Sequence, residues 1–245
     1  MNIQSDVDFI SQYVFLPIYA MTGRLLAVEL LTRFTGSGDN LAMPTEIGLR
    51  LLTPEQRIEL FNDQLMLAEK QASWFVANKV LLTINIEETV VDWLLGSEER
   101  RQRVQQLPFI AFEINESFPN LSAGKDNGKI RLLSTYFSLW LDGFGSGKAT
   151  LTALYDGLFD FVKIDKRFYW QLVTQQGYDL VIDSLLKHIN QLCKGVIVCG
   201  IEKHEYFNKL TNTGVLGLQG FLWPAVSVDN LRSLRRIAEE FDNNN

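Results

Sequence analysis

Residues that build covalent or metal frameworks are scarce in this chain. Its 245 residues include only two cysteines, Cys193 and Cys199, and two histidines. The cysteines are too far apart for a Cys-x-x-Cys motif and too few for a disulfide framework, so they suggest reduced thiols in a cytoplasm. Residues 1–8 lack the basic region and apolar core of an export signal. No stretch reaches the ~18 apolar residues of a membrane span. We therefore expect a cytoplasmic protein.

Positive charge is also in deficit, since the net charge is −6 at pH 7. This balance argues against a general affinity for nucleic acid or anionic membranes, although it leaves room for a local basic groove. A dinucleotide could still bind through a few arginines and a cation. No Pro/Gly/Ser-rich linker divides the chain. We expect one domain over residues 1–245, of the size at which a (β/α) barrel forms a single unit of ~250 residues.

Apolar runs alternate with helical patterns along the whole chain. Several runs are continuously apolar, as in strands buried on both faces of a parallel sheet. This alternation predicts an α/β fold that is either a barrel or an open doubly wound sheet, and periodicity does not separate the two. The predicted strands are Val14–Ile18, Leu25–Leu31, Val80–Ile86, Phe109–Ile114, Leu139–Asp142, Phe161–Ile164, Val196–Cys199 and Leu216–Gln219.

The clearest helix start is Thr53-Pro54-Glu55-Gln56, with Thr as N-cap, Pro at the first helical position and Gln two residues later. An apolar stripe at spacings of three and four continues from it to Phe75. Further helices are predicted over Leu94–Gln106, Gly177–Leu192, His204–Thr211 and Val228–Phe241.

Polar residues stand within or just after most of the predicted strands. A buried unpaired charge is unfavourable, so any one of them could simply have a local partner or face solvent. Their recurrence favours a shared site, because the carboxyl ends of barrel strands meet at one mouth. An all-oxygen set would suit Mg²⁺ or Mn²⁺ better than zinc. These residues are Glu29, Asn85, Glu113, Glu116, Asp142, Lys163, Glu202 and Gln219.

The segment Asp142-Gly143-Phe144-Gly145-Ser146-Gly147 reads as a strand end that opens into a glycine-rich loop. A Walker phosphate-binding motif would need Gly at position 142 and Ser or Thr at position 149, where this chain has Asp and Ala. The glycines also alternate, which a dinucleotide fingerprint does not allow. An Asp here is instead a natural ligand for a divalent cation, and a pair of them could serve two cations. The chain has one.

Taken in order, these motifs resemble the EAL domain, the family of cyclic-di-GMP phosphodiesterases, over about residues 15–231. The resemblance implies a modified (β/α)8 TIM-like barrel. The matching motifs are Glu29-Leu30-Leu31 with Thr32-Arg33-Phe34, Asn85, Glu113-Ile114-Asn115-Glu116, Asp142 before Gly143-Phe144-Gly145, Lys163-Ile164-Asp165, Gly200-Ile201-Glu202 and Gln219-Gly220-Phe221.

The resemblance also implies roles for the site residues. Arg33 would meet a ligand phosphate, Gln219 a guanine, and Lys163 would position or activate the attacking water. Glu116 would brace the glycine-rich loop. Asp165 would contact the ligand, and Glu202 would belong with Lys163 and Glu116 to the catalytic residues. Glu116, Asp165 and Glu202 are also the carboxylates that could substitute for missing ones. The first cation would be held by Glu29, Asn85, Glu113 and Asp142.

Three departures from the family pattern weaken the catalytic expectation. Gly143 stands in place of a second Asp, Cys199 in place of a Glu, and Leu16 in place of a Gln that contacts the ligand. A two-metal hydrolase uses both cations to activate water and stabilise the leaving oxygen. Gly143 offers no side-chain oxygen, and Cys199 is a soft, largely neutral thiol. We therefore predict one surviving Mg²⁺ or Mn²⁺ site, a lost second site and severely impaired hydrolysis.

Three hypotheses remain open from the sequence. Segments such as Tyr155–Phe159 and Leu222–Val226 resemble a degenerate branch of the family that regulates flagellar genes by binding the FlhDC transcription activator. The leading hypothesis is a regulator of this kind, acting by protein binding in motility and biofilm signalling. The alternatives are an active phosphodiesterase that converts cyclic-di-GMP to linear pGpG, and a receptor that binds cyclic-di-GMP without cutting it. A homodimer is possible, although Lys148-Ala149-Thr150 departs from the aromatic-serine run usual at the family dimer contact.

Overall fold

Eight strands close into a ring in the computed structural model, which describes residues 2–3, 9–36, 42–147 and 152–242. The strands in chain order are β1 (Asn2–Ile3), β2 (Phe9–Ala20), β3 (Leu25–Gly36), β4 (Ala42–Met43), β5 (Leu81–Asn85), β6 (Ile110–Asn115), β7 (Ser138–Phe144), β8 (Phe161–Ile164), β9 (Gly195–Cys199), β10 (Gly217–Gln219) and β11 (Val226–Ser227).

The ring runs β2–β10–β9–β8–β7–β6–β5–β3 and returns to β2. Neighbours pair in parallel, except that β2 is antiparallel to both β3 and β10. The predicted barrel is therefore confirmed, the open sheet is excluded, and one reversed strand is the modification. Lys148–Thr150, which bear on the possible homodimer, lie outside the described residues.

Helices cover the outer face of the ring. The capping box at α2 is present as predicted: the Thr53 hydroxyl accepts from Gln56 N–H, and the Gln56 side chain accepts from Thr53 N–H. No helix of the described segments is long and apolar enough to cross a membrane. The helices are α1 (Thr45–Leu51), α2 (Pro54–Asn78), α3 (Glu88–Leu95), α4 (Glu98–Gln105), α5 (Gly128–Tyr136), α6 (Thr152–Tyr155), α7 (Lys166–Val173), α8 (Tyr178–Ile189), α9 (His204–Asn208) and α10 (Glu239–Asp242).

Two predicted helices are wrong in extent. The helix expected over Leu94–Gln106 is broken between α3 and α4, because Ser97 adopts an extended conformation and caps α4. The helix expected over Val228–Phe241 is a 3-10 helix at Val228–Ser233 followed by the short α10. Between this 3-10 helix and α10, the chain pairs with the turn that joins β2 and β3. Leu25 N–H donates to Arg236 O, and Arg24 forms a β-bridge with Ile237.

A layer of apolar side chains fills the ring below its mouth. The residues of this layer come from strands on different sides of the ring and contact one another, so they must lie inside it. Because side chains alternate along a strand, the residue two positions further on each strand faces inward as well, one layer higher. Those positions include Glu113, Asp142 and Cys199. The layer consists of Ile18, Ala27, Ala111, Trp140 and Ile197.

Candidate functional site

Lys163 is the centre of the inward-facing polar side chains at the mouth. It follows the β8 residue Phe161 by two positions and is buried, with 2% of its side chain exposed. Its Nζ lies 2.7 Å from Glu29 Oε2, 2.7 Å from Glu113 Oε2 and 3.7 Å from Asp142 Oδ1. Lys163 thus joins β8 to β3 and β6 through buried ion pairs, and to β7 through a longer one.

Glu29 is the most fully satisfied carboxylate of the group. Asn85 Nδ2 donates to its Oε1 over 2.7 Å, and Gln219 Nε2 donates to its Oε2 over 2.8 Å, the oxygen that also meets Lys163. Burial alone would raise the pKa of Glu29, but the ammonium of Lys163 and the two amide donors outweigh burial and lower it. Glu29 is therefore a charged carboxylate that three strands hold in place.

The pKa of Glu113 is shifted in the opposite direction. Burial, and next the negative charge of Glu29, raise its pKa to about 8, against the lowering effect of Lys163. Its second oxygen, Oε1, is buried and has no hydrogen-bond partner within the described segments. A buried carboxylate oxygen without a partner is unfavourable, so binding a proton or a cation at this atom would be stabilising.

Lys163 is held as an ammonium. Burial works to lower its pKa, but the carboxylates of Glu113, Glu29 and Asp142 more than compensate and raise the pKa well above the usual value. A lysine in this state donates hydrogen bonds at neutral pH and does not accept a proton from water. In this arrangement Lys163 is the positive counter-charge of the buried carboxylates.

The first cation position has suitable chemistry for a hard divalent ion. The donors are oxygens, three carboxyl groups surround the single ammonium, and Glu113 Oε1 has no partner among the described residues. Within the described segments, however, no three His, Cys, Asp or Glu side chains already stand in a metal-binding arrangement, because Lys163 lies between the carboxylates. Glu29, Asn85, Glu113 and Asp142 would hold the ion, and Lys163 would have to give up part of its contacts.

The second cation position does not have suitable chemistry. Gly143 lies at an irregularity in the pairing of β7 with β8 and has φ +80°, a left-handed conformation typical of glycine at a bulge. Cys199 Sγ lies 3.4 Å from Gln219 Oε1. Burial raises the pKa of the Cys199 thiol, so the thiol is neutral. Neither residue offers the hard anionic oxygen that a second ion requires.

The glycine-rich loop is attached to the end of β6. Glu116 is buried and accepts a hydrogen bond from Ser146 Oγ, while its own N–H donates to Asp142 O over 3.0 Å. Glu116 therefore contacts the glycine-rich loop, and its bracing role stays a prediction. Asn115 also reaches this loop and was not among the predicted site residues. The only signal in the sequence was its place between the two glutamates of the β6 end.

Three predicted site residues form no hydrogen bond or ion pair with the buried group among the described residues. Arg33 is exposed on the part of β3 that continues past the mouth, paired in register with Gln12 of β2. Asp165 caps α7, where its Oδ1 accepts from the N–H groups of Arg167 and Phe168. Glu202 is half-buried just after β9. The structure therefore brings together Glu29, Asn85, Glu113, Asp142, Lys163, Cys199 and Gln219.

Comparisons with known proteins match nearly the whole chain. A family model described as the EAL domain covers residues 11–225. The YdiV protein of Escherichia coli (strain K12) is 34% identical over 234 residues, which is 96% of this chain and 99% of that protein. The Salmonella typhimurium (strain LT2) protein described as anti-FlhC(2)FlhD(4) factor YdiV is 31% identical over 229 residues, 94% and 97% of the two chains.

Solved structures agree with the sequence comparisons. The crystal structure of the EAL-like domain protein YdiV matches with a TM-score of 0.86 and 32% identity over 94% of this chain and 97% of that one. The phosphodiesterase PaMucR in complex with c-di-GMP matches with a TM-score of 0.69 and 18% identity over 90% and 94%. The second likeness extends to the fold alone.

Proposed function

Since the chain belongs to the EAL-domain family, we propose that it is a regulator that binds the FlhC2FlhD4 complex without hydrolysing cyclic-di-GMP. One observation carries the choice of partner: the end-to-end similarity to proteins described as anti-FlhC(2)FlhD(4) factors, at 31% identity with no long unmatched segment in either chain. We place this activity in the cytoplasm, in line with the reduced cysteines.

The geometry of the mouth supports the non-hydrolytic part of the proposal. A divalent ion, when bound at the first position, would polarise a phosphate oxygen and lower the pKa of a water. This chain supplies no hard anionic oxygen for a second ion at Gly143 or Cys199. Losses next to a metal typically reduce affinity or activity by ~10–100-fold each, so Gly143 and Cys199 together predict a loss of roughly 100–10,000-fold.

A second candidate function is cyclic-di-GMP binding without cleavage. The observation that favours it is the group of oxygen donors at the first cation position, with Glu113 Oε1 unpaired. Exposed Arg33 beyond the mouth would offer a phosphate contact. Calorimetry with cyclic-di-GMP in Mg²⁺, in Mn²⁺ and in EDTA tests this candidate. Heat that depends on the cation would support it, and no heat at micromolar concentrations in any buffer would exclude tight binding.

Two measurements on the purified full chain test the main proposal. Size-exclusion chromatography with the purified FlhC–FlhD complex is expected to give a stable joint peak, both with Mg²⁺ and with EDTA. A hydrolysis assay in Mg²⁺ or Mn²⁺, run beside an active EAL phosphodiesterase, is expected to give no pGpG above about 1% of the control rate. Separate elution at micromolar concentrations would overturn the partner, and turnover near the control rate would overturn the non-hydrolytic role.

A further inference from the structure

Asn115 at the end of β6 is fixed by its neighbours although it is exposed. Its Oδ1 accepts from Ser117 N–H over 3.0 Å and from Ser117 Oγ over 2.7 Å. This leaves the amide nitrogen pointing at the glycine-rich loop, where Nδ2 lies 3.4 Å from Asp142 Oδ2. The Asp142 carboxylate therefore lies between Asn115 on one oxygen and the longer contact from Lys163 on the other.

The same amide nitrogen stands where a side chain at position 143 would begin. A Cβ built on Gly143 would lie 3.3 Å from Asn115 Nδ2 and 3.7 Å from Glu116 Cγ. The first distance is tight, and Asn115 cannot simply withdraw, because Ser117 holds its other end. A carboxylate placed at 143 would meet an N–H donor before it met a cation, and an oxygen that accepts a hydrogen bond from Asn115 is less available as a ligand.

We propose that Asn115 is a positioning residue that closes the second cation position together with Gly143. Asn115 holds Asp142 and crowds the Cβ with which any side chain at 143 begins. Gly143, which stands in place of the second Asp, is then only one of two causes of the closure. Restoring an Asp at position 143 alone does not reopen the cation position. The inference rests on the non-hydrolytic part of the proposed function and is independent of the protein partner.

Mn²⁺ binding to the full chain tests this proposal without an activity readout. We compare Gly143→Asp/Cys199→Glu with the same pair of substitutions plus Asn115→Ala, and count bound ions from the electron paramagnetic resonance signal of free Mn²⁺. The matched control adds Asn208→Ala, an exposed residue at the end of α9. We expect tight binding of a second ion only in the variant with Asn115→Ala. The dissociation constant of that ion should be at least about tenfold lower than that of any second ion in the other two variants.

Two results would overturn the proposal. One is a second Mn²⁺ that binds equally tightly with Asn115 in place, and the other is no second ion in a folded Asn115→Ala variant. If thermal unfolding shows that this variant does not fold, Asn115→Ser replaces it, since the shorter side chain removes the amide nitrogen beside position 143, and the same two results apply. Failure of the proposed function would instead appear as cyclic-di-GMP hydrolysis by the unmodified chain or as no binding to the FlhC–FlhD complex. Neither result enters the Mn²⁺ measurement.

Discussion

The two halves of the barrel mouth are held by different kinds of interaction. The lysine half, made of Lys163, Glu29, Glu113 and Gln219, is buried and joins β3, β6, β8 and β10 through ion pairs and an amide hydrogen bond. The loop half, made of Asn115, Gly143, Ser146 and Cys199, is bonded mainly between neighbouring segments. Residues that look catalytic are present in the lysine half, and two of the three departures from the family pattern, Gly143 and Cys199, are in the loop half.

Physical chemistry explains why such a division arises. Removing one partner of a buried ion pair leaves an uncompensated charge in the core, and the fold loses several kcal/mol. Changing a residue at a loop end affects few other contacts. A chain of this family can therefore lose catalysis at the loop half at little cost in stability, while the lysine half is held by the requirements of folding. The presence of Glu29, Glu113 and Lys163 is thus poor evidence for hydrolysis.

The largest expected effect is that of Lys163→Met, which removes the ammonium and leaves Glu29 and Glu113 facing each other. We expect a loss of about 3–5 kcal/mol in the free energy of unfolding, measured by urea denaturation. The control is Lys187→Met, which removes an exposed lysine that pairs with Asp183 on the same helix. That change should shift stability by no more than about 0.5 kcal/mol. Equal losses in the two variants would contradict the structural importance of the buried ion pairs in the lysine half.

A smaller effect is expected from Gly143→Ala in the loop half. A non-glycine residue in the left-handed region costs about 1–2 kcal/mol, and φ at Gly143 is +80°. Gly128, the first residue of α5, is a matched control, since a Cβ there meets nothing within 4 Å and its φ is not left-handed. Gly128→Ala should be neutral or stabilising by up to about 1 kcal/mol. Thermal unfolding of both variants measures the contrast, and a stabilised Gly143→Ala would contradict it.

The smallest effect is expected for an ion pair outside both halves. Arg103 of α4 donates to both carboxylate oxygens of Glu69 on α2, at 2.7 and 3.1 Å, with more than a third of each side chain exposed. A double-mutant cycle with Arg103→Ala and Glu69→Ala should give a coupling of at most about 1 kcal/mol, and less at high salt. A coupling as large as the Lys163 effect would mean that burial does not set the strength of the lysine half.

The strands could be predicted closely because apolar runs of β-branched residues have few alternative uses. Phe161–Ile164 was predicted to the residue, and the other seven strands overlap their predicted ranges. Ring closure could not be read locally, since β2 meets β10 through Tyr19 and Leu218, far apart in sequence. The helix α7 was missed because Asp165, its N-cap, also matched a ligand-binding motif. Asp165 fits both a helix N-cap and a ligand-binding motif, and the hydrogen bonds it accepts are those of the N-cap.

The clustering of polar side chains at the mouth could be predicted from the sequence, but the contacts among them could not. Strand-end positions identified Glu29, Asn85, Glu113, Asp142, Lys163 and Gln219, because alternation along a strand fixes which side chains share a face. The sequence does not specify which oxygen meets which donor, so the central position of Lys163 and the role of Asn115 stayed hidden. Trp223 lies beside Pro224 in the segment Leu222–Val226, and the sequence alone does not tell whether its ring faces the core or the surface. The ring is buried against Tyr19 and Phe207.

The partners of Glu29 arrive late during synthesis. Asn85 follows it by 56 residues, Lys163 by 134 and Gln219 by 190. At ~5–20 residues per second, Glu29 leaves the ribosome roughly 10–40 s before its last partner. Until then, burying the Glu29 carboxylate would be unfavourable because its partners are not yet present, so we expect the nascent barrel to stay open. We therefore expect that truncation before Gln219 yields an unfolded chain rather than a smaller barrel.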